Sequence, residues 1–273
     1  MKKEYGKRQD YPTKVIADGI YYISDFLATD CYLIIGTERA LLIDVGTGYG
    51  DMRGYIETLT DLPIDVVFTH IHPDHIGGMG QFEKAYAHSA DIRYGYKFYS
   101  RLWLRKLFKF LSKGVVDPSI SVKDVVRGRY KTKLIPIEDN HIFDLGGRKV
   151  TCKHFAGHTS GSIILLDDKT KHMFVGDNCC PSPWAFLPNS VPLYEWTHNA
   201  KKILALMDTY IAHWGHEGGD IKKEVFAKAI EFADEVINNQ PKNTFLPIIK
   251  FYPFNDRVNG SIVYRKSNVY KRR

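Results

Sequence analysis

Long apolar runs and cysteines are scarce in this 273-residue sequence. Its apolar runs, such as residues 31–35, stop far short of the roughly 18 residues that a membrane-spanning helix needs, so no integral membrane segment is expected. No apolar stretch follows the basic residues 1–8 at the start of the sequence, which argues against a secretory signal. The length and composition exclude a disulfide-stapled mini-protein. The irregular spacing of the four cysteines predicts reduced thiols in a cytoplasmic protein; they are Cys31, Cys152, Cys179 and Cys180.

Internal repeats and low-complexity segments are absent from the sequence as well. Hydrophobic residues make up 44% and charged residues 25% of the chain, which excludes a disordered or collagen-like protein. The length allows one large domain or two small ones, with enough buried surface to form a core without a metal.

Acidic residues are rare in one segment, residues 96–135, which carries seven lysines and four arginines but only Asp117 and Asp124. The net charge of the whole chain is +7, so this segment holds the entire positive excess. Basic residues four apart from Lys97 to Lys113 predict a basic helical insertion at about residues 91–132. A helix packed on the body with a solvated basic face is the favoured interpretation. A lid over a cleft, a homodimer contact, and a surface for membrane or nucleic acid stay open as alternatives.

Short runs rich in valine, isoleucine and tyrosine predict two sets of strands with helices between them. The predicted strands are residues 20–24, 31–35, 40–44, 64–69, 133–137, 149–155, 162–167, 172–175 and 210–214. The predicted helices are residues 51–62, 197–207 and 221–238. Hairpin-like strand pairs mixed with helices favour sheets covered by helices over a regular Rossmann alternation.

The sharpest motif is a histidine box directly after the apolar strand at residues 64–69. It contains His70, His72, Asp74 and His75. An extended segment directs His70 and His72 to the same side, and the following turn toward a helix brings the other two from another direction. Neutral imidazoles and carboxylates that converge in this way are typical metal ligands, so the box predicts a metal site.

Three further candidates follow later strands: His158 in a glycine-rich turn, Asp177 in a Gly-Asp pair, and His216 in a Gly-His pair. Each lies just beyond the predicted carboxyl end of a strand, the edge at which sheet proteins gather ligands. Alone each signal is weak, but together with the histidine box they are strong. His213 is a rival to His216, and the glycines that flank His216 favour the latter.

Because these motifs follow one another in a characteristic order, the chain resembles the metallo-β-lactamase superfamily of hydrolases over roughly residues 20–218. The resemblance rests on the strand-ending Asp44, the histidine box, the Gly-His-Thr turn, the Gly-Asp pair and the final Gly-His pair. It implies a single domain over residues 1–273 with the αβ/βα fold, a four-layer sandwich of two mixed β-sheets with helices outside.

The resemblance also implies roles for individual residues. His70, His72 and His158 would bind a first metal, whereas Asp74, His75 and His216 would bind a second. Asp177 would bridge the two metals, and Asp44 would order the loop beneath them.

The function expected from this site is a binuclear-metal hydrolase that cleaves a small carbonyl ester, thioester or lactone by metal-hydroxide attack. The expected cofactors are two divalent ions, zinc first, with iron or manganese as alternatives. Asp74 is the candidate catalytic residue, because its carboxylate has lone pairs left to take a proton while it binds metal. An iron-dependent persulfide dioxygenase, an RNA- or phosphodiester-cleaving enzyme and a non-catalytic metal-binding scaffold remain alternatives.

An aromatic segment follows Asp177 and is expected to border the cleft. Its side chains would wall an apolar substrate pocket or belong to the core, and the sequence favours neither; they are Trp184, Phe186, Tyr194 and Trp196. Cys179 and Cys180 are expected to be packing or cleft-lining thiols.

Overall fold

The strands that the structure describes form two large sheets and one small one. The structure, a computed structural model, describes residues 11–25, 29–94, 130–187, 189–239, 247–253 and 259–265. Within these ranges, no helix is both long enough and apolar enough to cross a membrane.

The first sheet contains seven strands that are neighbours in chain order. They are β1 (Thr13–Ala17), β2 (Ile20–Ser24), β3 (Asp30–Ile35), β4 (Ala40–Ile43), β5 (Ile64–Val67), β6 (Lys84–His88) and β7 (Lys133–Ile137). Strands β1 to β4 are antiparallel, whereas β4 to β7 run parallel.

The second sheet has the order β13-β11-β10-β9-β8. Its strands are β8 (Ile142–Asp144), β9 (Lys149–His154), β10 (Ile163–Asp167), β11 (His172–Gly176) and β13 (Ile211–Trp214). Only β11 and β13 are parallel in this sheet. A small third sheet is formed by β12 (Trp184–Ala185), β15 (Asn259–Arg265) and β14 (Pro247–Pro253).

The helices are α1 (Met52–Leu59), α2 (Pro73–Ile76), α3 (Ser89–Tyr94), α4 (Leu193–Leu206) and α5 (Lys223–Asn238), with a 3₁₀ turn at Met79–Gln81. Helix α1 buries Met52 and Ile56 against the outer face of the first sheet. Helices α4 and α5 pack against the outer face of the second sheet.

Buried residues on both faces of each sheet give the molecule its layers. Side chains alternate along a strand, so Leu41 and Ile43 of β4 enter the core between the sheets, whereas Leu42 faces the α1 side. In β10, Ile163 enters the central core and Ile164 faces α4 and α5. The expected αβ/βα four-layer sandwich is confirmed, and burial on both faces explains why these strands read as continuous apolar runs.

The boundaries of all three predicted helices differ in the structure, and α5 begins at Lys223 rather than at residue 221. Helix α4 begins at Leu193 rather than at residue 197, because Pro192 occupies its N-cap and Leu193 and Trp196 are both buried in the core. Helix α1 ends at Leu59 rather than at residue 62, because Thr60 is already extended.

Some strands were not predicted at all, among them β1, β6 and β8. Strand β6 mixes charged and apolar residues, and its pairing with β5 and β7 comes from elements distant in sequence. The body of the predicted basic insertion, residues 95–129, lies outside the described residues. Its first residues, from Asp91 to Tyr94, belong to α3.

Two buried histidines form a polar chain beside the central core. His213 Nδ1 donates to Asp220 Oδ1 at 3.1 Å, since a carboxylate only accepts. In the neutral ring the other nitrogen of His213, Nε2, then accepts from His172 Nδ1 at 2.7 Å. A proton on that nitrogen would face the N–H of His172, so this arrangement requires neutral His213. Burial and the neighbouring His172 lower the pKa of His213 to about 4, and Asp220 opposes this only in part.

We expect the free energy of unfolding to decrease in acid because of His213. The unfolded chain binds a proton near the ordinary histidine pKa of about 6.5, whereas the folded chain resists protonation until about pH 4. The stabilisation is therefore complete above about pH 6.5 and is lost as the pH falls through 4. Urea unfolding from pH 7 to pH 4 should show a shallower pH dependence for His213→Gln, whereas substitution of the exposed His198 by Gln should leave the slope unchanged.

Candidate metal centre

The seven side chains proposed from the sequence as metal ligands meet at one edge of the sandwich. His70 lies just after β5, and α2 contains Asp74 and His75. The other loops follow strands of the second sheet: His158 comes after β9, Asp177 directly after β11, and His216 after β13; His72 lies between β5 and α2. The carboxyl ends of β5, β9, β11 and β13 thus bring the residues together, as the strand-end positions predicted.

Three histidines from two loops form the first group of ligand atoms. His72 Nδ1 lies 3.0 Å from His70 Nε2 and 2.7 Å from His158 Nε2. All three side chains are buried. The rings stand nearly perpendicular to one another, with centroids 4.5–4.9 Å apart, so the nitrogens and not the ring faces meet.

Hydrogen bonds on the far side of two of these rings fix which nitrogen faces the group. His158 Nδ1 donates to the Trp184 carbonyl at 3.2 Å, so the Nε2 of the neutral ring has a free lone pair. Thr69 Oγ1 donates to Asp44 at 2.7 Å and can therefore accept from His70 Nδ1 at 3.1 Å. The lone pairs of His70 Nε2 and His158 Nε2 then both point toward the same place, as metal ligands require.

The second group combines two histidines with a carboxylate. Asp74 Oδ2 lies 3.6 Å from His216 Nε2 and 3.7 Å from His75 Nε2. Asp177 lies between the two groups: its Oδ2 is 3.2 Å from His216 Nε2 and 3.6 Å from His158 Nε2, and its Oδ1 is 3.4 Å from His75 Nε2. A single carboxylate therefore contacts ligand atoms of both groups.

Burial and charge divide the histidines of the site into two kinds. Burial lowers the pKa values of His70 and His158, and it lowers that of His72 to about 3, so these three rings are neutral at pH 7. Burial also acts to lower the pKa of His216, but the Asp177 and Asp74 carboxylates outweigh it and raise this pKa to about 9. The carboxylates thus attract positive charge to their side of the site.

Asp44 supports the site from beneath. Its carboxylate accepts hydrogen bonds from the Thr69 backbone N–H at 2.8 Å and from His75 Nδ1 at 2.8 Å. The second bond leaves His75 Nε2 directed at Asp177. The backbone of Asp44 has a φ of 58°, a left-handed conformation that side chains other than glycine rarely adopt. Strain of this kind persists only where surrounding contacts hold it, and it is common at functional sites.

The position before His216 has to be glycine. A Cβ atom on Gly215 would lie 2.6 Å from Asp177 Oδ1 and 2.7 Å from His75 Cε1. The backbone of this loop therefore passes directly against the site, a close approach that only glycine allows.

The donor set fits divalent metal ions. The ligand atoms form three overlapping groups, and within each group all atoms lie within 4.8 Å of one another; the groups are His70-His72-His158, His70-His75-Asp177 and Asp74-His75-His216. His75 Nε2 and Asp177 Oδ1 are buried, and neither has a hydrogen-bond partner among the residues that the structure describes. Buried polar atoms are rarely left unpaired, so two such atoms at the centre of a histidine and carboxylate cluster indicate a cation site.

Comparison with known proteins identifies the family. The sequence profile described as the metallo-beta-lactamase superfamily matches residues 24–216, which is more than half of the chain and includes all seven residues. The chain belongs to the metallo-beta-lactamase superfamily. The profile ends at His216, the residue that the sequence analysis preferred to His213. In the structure His216 approaches Asp177, whereas His213 pairs with His172 and Asp220.

Curated relatives of this superfamily member include thioesterases. It is 29% identical to the acyl-coenzyme A thioesterase MBLAC2 of Homo sapiens over 188 residues, 61% of this chain and 66% of the relative. It is 26% identical to the atrochrysone carboxyl ACP thioesterase AacuM of Aspergillus aculeatus over 154 residues, 55% of this chain and 39% of the relative. The matched region thus spans just under two thirds of the human relative.

A solved structure with the same fold is that of a metallo-beta-lactamase family protein from Thermus thermophilus. The match has a TM-score of 0.60 at 19% identity, and it covers 82% of this chain and 81% of the other. At this identity the likeness shows the fold alone.

The aromatic residues expected near the cleft divide into two kinds. Trp196 is 2% exposed and belongs to the core, where its indole N–H donates to the Asn178 carbonyl. Trp184 is 48% exposed, and its ring centroid lies 5.4 Å from that of Phe186. Tyr194 is also exposed. The structure thus assigns Trp196 to the core and leaves the other three available to a ligand.

Sequence reasoning missed three residues that hold the site together. Asn178 follows Asp177 and accepts from the His158 backbone N–H at 2.8 Å; its place beside the Gly-Asp pair was a signal. Asp91 and Asp30 are buried carboxylates that had no sequence signal. Burial raises the pKa of each to about 6, while the hydrogen bonds that each accepts act in the opposite direction.

The metal-free protein should be stabilised by zinc. An ion that binds only the folded chain, at about 100 times its dissociation constant, adds about 2.7 kcal/mol to the free energy of unfolding, which is a rise in Tm of roughly 5–10 °C for a chain of this size. Asp177→Ala should abolish most of that rise, because Asp177 contacts both groups. Glu231→Ala, which removes a carboxylate from the outer helix α5, should keep it. Equal zinc-dependent shifts for the two variants in differential scanning fluorimetry would contradict this assignment.

Proposed function

We propose that this superfamily member is a binuclear metal hydrolase that cleaves acyl thioesters. The observation that carries the proposal is the convergence of two ligand groups on one shared carboxylate, Asp177. The thioesterase names of the relatives MBLAC2 and AacuM support a thioester as the substrate class.

Each ligand group would hold one divalent ion. His70, His72 and His158 would bind the first, Asp74, His75 and His216 the second, and Asp177 would contact both. Bound ions of this kind lower the pKa of a coordinated water toward 7 and polarise a carbonyl oxygen. Zinc suits the histidine-rich set, with iron or manganese as alternatives.

Asp74 is suited to move the proton of the reaction. Its carboxylate is more exposed than that of Asp177, so it can face both the substrate and a water. Water adds to the carbonyl carbon of the thioester and gives a proton to Asp74. The carbon–sulfur bond then breaks, and the sulfur takes up that proton as it leaves. The products are a carboxylic acid and a thiol, and no oxidant or reductant is needed.

Acyl-coenzyme A hydrolysis tests this proposal. Wild-type protein loaded with zinc should hydrolyse acyl-coenzyme A with release of free thiol. Asp74→Asn should reduce kcat by about 10²–10⁴-fold, because the amide keeps an oxygen ligand but cannot accept the proton. Zinc content measured on the same samples separates loss of the ion from loss of the proton acceptor.

Several results would reject the proposal. Undiminished turnover in Asp74→Asn would reject the role of this residue. Oxygen consumption by an iron-loaded protein, with no thioester cleavage, would favour the persulfide dioxygenase. Cleavage of RNA with a steep salt dependence would favour a nuclease.

Trp184 is exposed and Phe186 is partly buried, and the backbone of Trp184 contacts the first ligand group. The backbone carbonyl of Trp184 accepts a hydrogen bond from His158 Nδ1. The Trp184 side chain therefore belongs to a residue whose backbone contacts a proposed ligand. The rings of Trp184 and Phe186 offer an apolar surface that water now covers in part. We assign this surface to the acyl chain of the substrate, because burial of an apolar chain against aromatic rings is favourable by about 25 cal/mol per Å².

Removal of the indole should change chain-length preference rather than catalysis. Trp184→Ala should raise KM roughly tenfold for long-chain acyl thioesters, since about 1.4 kcal/mol of apolar contact is lost, and should leave acetyl thioesters unaffected. Ile211→Ala is the matched control, because Ile211 is an exposed apolar residue at the end of β13 that lies away from His216. An equal rise in KM for acetyl and long-chain substrates would contradict an acyl-chain surface.

The cytoplasmic location, the homodimer and the basic insertion at residues 91–132 stay predictions. The four cysteines are free and buried.

A further inference from the structure

Asp91 links the two loops that supply the three-histidine group. It lies in α3 and is 0% exposed. Its Oδ2 accepts from the Thr159 hydroxyl at 2.8 Å and from the Ile71 backbone N–H at 3.2 Å, while its Oδ1 accepts from the Gly161 N–H at 2.9 Å. Ile71 lies between His70 and His72 in the chain, and Thr159 follows His158. One carboxylate thus ties together the backbones that position all three imidazoles.

The contact between Asp91 and the glycine-rich turn is very close. A Cβ atom on Gly161 would lie 2.5 Å from the backbone nitrogen of Asp91 and 2.6 Å from its Cγ. The turn therefore needs glycine at this position in order to reach the carboxylate. This explains a glycine of the motif that metal ligation by His158 leaves unexplained.

Asp30 does the same for the loop that carries His216. It is 1% exposed, and its Oδ2 accepts from the Gly218 backbone N–H at 3.0 Å. Its own backbone N–H donates to the Gly215 carbonyl at 2.8 Å. Its Oδ1 accepts from the Tyr22 hydroxyl at 2.7 Å, which fixes the carboxylate to β2. Both sides of His216 are therefore attached to one buried residue.

The contacts of the two carboxylates do not overlap. Each hydrogen bond of Asp91 described above goes to the loops of the three-histidine group, and the loop bonds of Asp30 go only to residues around His216. Hydrogen bonds to an ionised carboxylate are roughly twice as strong as neutral ones, so each aspartate restrains its own loops. Neither residue is among the ligand groups.

We propose that Asp91 and Asp30 are positioning residues that organise the two metal sites separately, Asp91 the three-histidine site and Asp30 the site of Asp74, His75 and His216. The inference rests on the proposed metal-binding function. Residues that hold ligands from outside typically contribute 10–100-fold to metal affinity, and here each contribution belongs to one ion only.

Zinc titration of the metal-free protein by calorimetry tests the division. Wild type should bind two ions per chain. Asp91→Asn should weaken one of them about 10–100-fold and leave the other unchanged, because the amide keeps the volume of Asp91 but opposes at least one N–H or O–H donor with its own NH₂ group. Asp30→Asn should also weaken only one ion.

Single-site backgrounds show which ion each variant affects. His72→Ala should leave only the site of Asp74, His75 and His216, and in this background Asp30→Asn should weaken zinc binding whereas Asp91→Asn should not. His216→Ala should leave the three-histidine site, and there the effects should be reversed. This crossed pattern is a double-mutant cycle that general destabilisation of the fold cannot produce.

Milder variants cover the case in which a buried Asp→Asn change prevents folding. Thr159→Val removes one donor to Asp91, and Tyr22→Phe removes one donor to Asp30. Each should weaken the same ion as the corresponding aspartate variant, by a smaller factor. Thr159→Ser keeps the hydroxyl and should restore wild-type affinity, which a purely steric role of Thr159 would not explain.

Three outcomes are distinguishable. The crossed pattern supports the inference. If either aspartate variant weakens the binding of both zinc ions equally, or if neither variant weakens zinc binding, the inference is overturned while the proposed metal site stands. A wild-type protein that binds no zinc contradicts the proposed function itself, and the inference fails with it.

Discussion

The Asp177 carboxylate is the contact on which the rest of the site depends. Its oxygens lie 3.2–3.6 Å from nitrogens of His75, His158 and His216, and its Oδ1 is buried with no hydrogen-bond partner in the described part of the chain. A carboxylate in such surroundings is costly unless positive charge or donors face it. The histidines must therefore be held close to the Asp177 carboxylate. Loops that no hydrogen bonds restrain could not hold them there. The fold around Asp177 is best understood as the structure that meets this requirement.

The sandwich meets it by placing loops of both sheets at one edge and by restraining them with buried aspartates. Asp44 joins the end of β4 to the first residues of the histidine box, at the expense of a left-handed backbone. Asp91 and Asp30 restrain the remaining loops from outside the ligand set. The central core between the sheets is apolar and continuous, so these polar contacts are confined to the edge where they are needed. The proposed chemistry requires a rigid core and, at its edge, loops that hydrogen bonds hold in place.

The surroundings of the ligand groups narrow the substrate class. The neutral three-histidine group and the carboxylate-rich group differ in charge, so the two sides of the site would treat a polar substrate differently. The neutral group is linked through His158 to the backbone carbonyl of Trp184, whose side chain is exposed and is the surface proposed for an apolar acyl chain. The thioesterases among the relatives agree with such a substrate. The polar chain of His172, His213 and Asp220 contributes none of the residues in the two ligand groups.

The sequence by itself determined the histidine box, the strand-end positions of the other ligands and the layered fold, because these depend on short spacings and on apolar runs that any sheet must bury. It also ranked His216 above His213 from flanking glycines, and Gly215 shows why: a side chain there would strike Asp177. Only the tertiary structure decided the roles of Asp91 and Asp30, because the loop residues that they hold lie 20 to 188 residues away in the chain. It alone separated core Trp196 from exposed Trp184 as well, since burial depends on what packs against a residue and not on its own spacing.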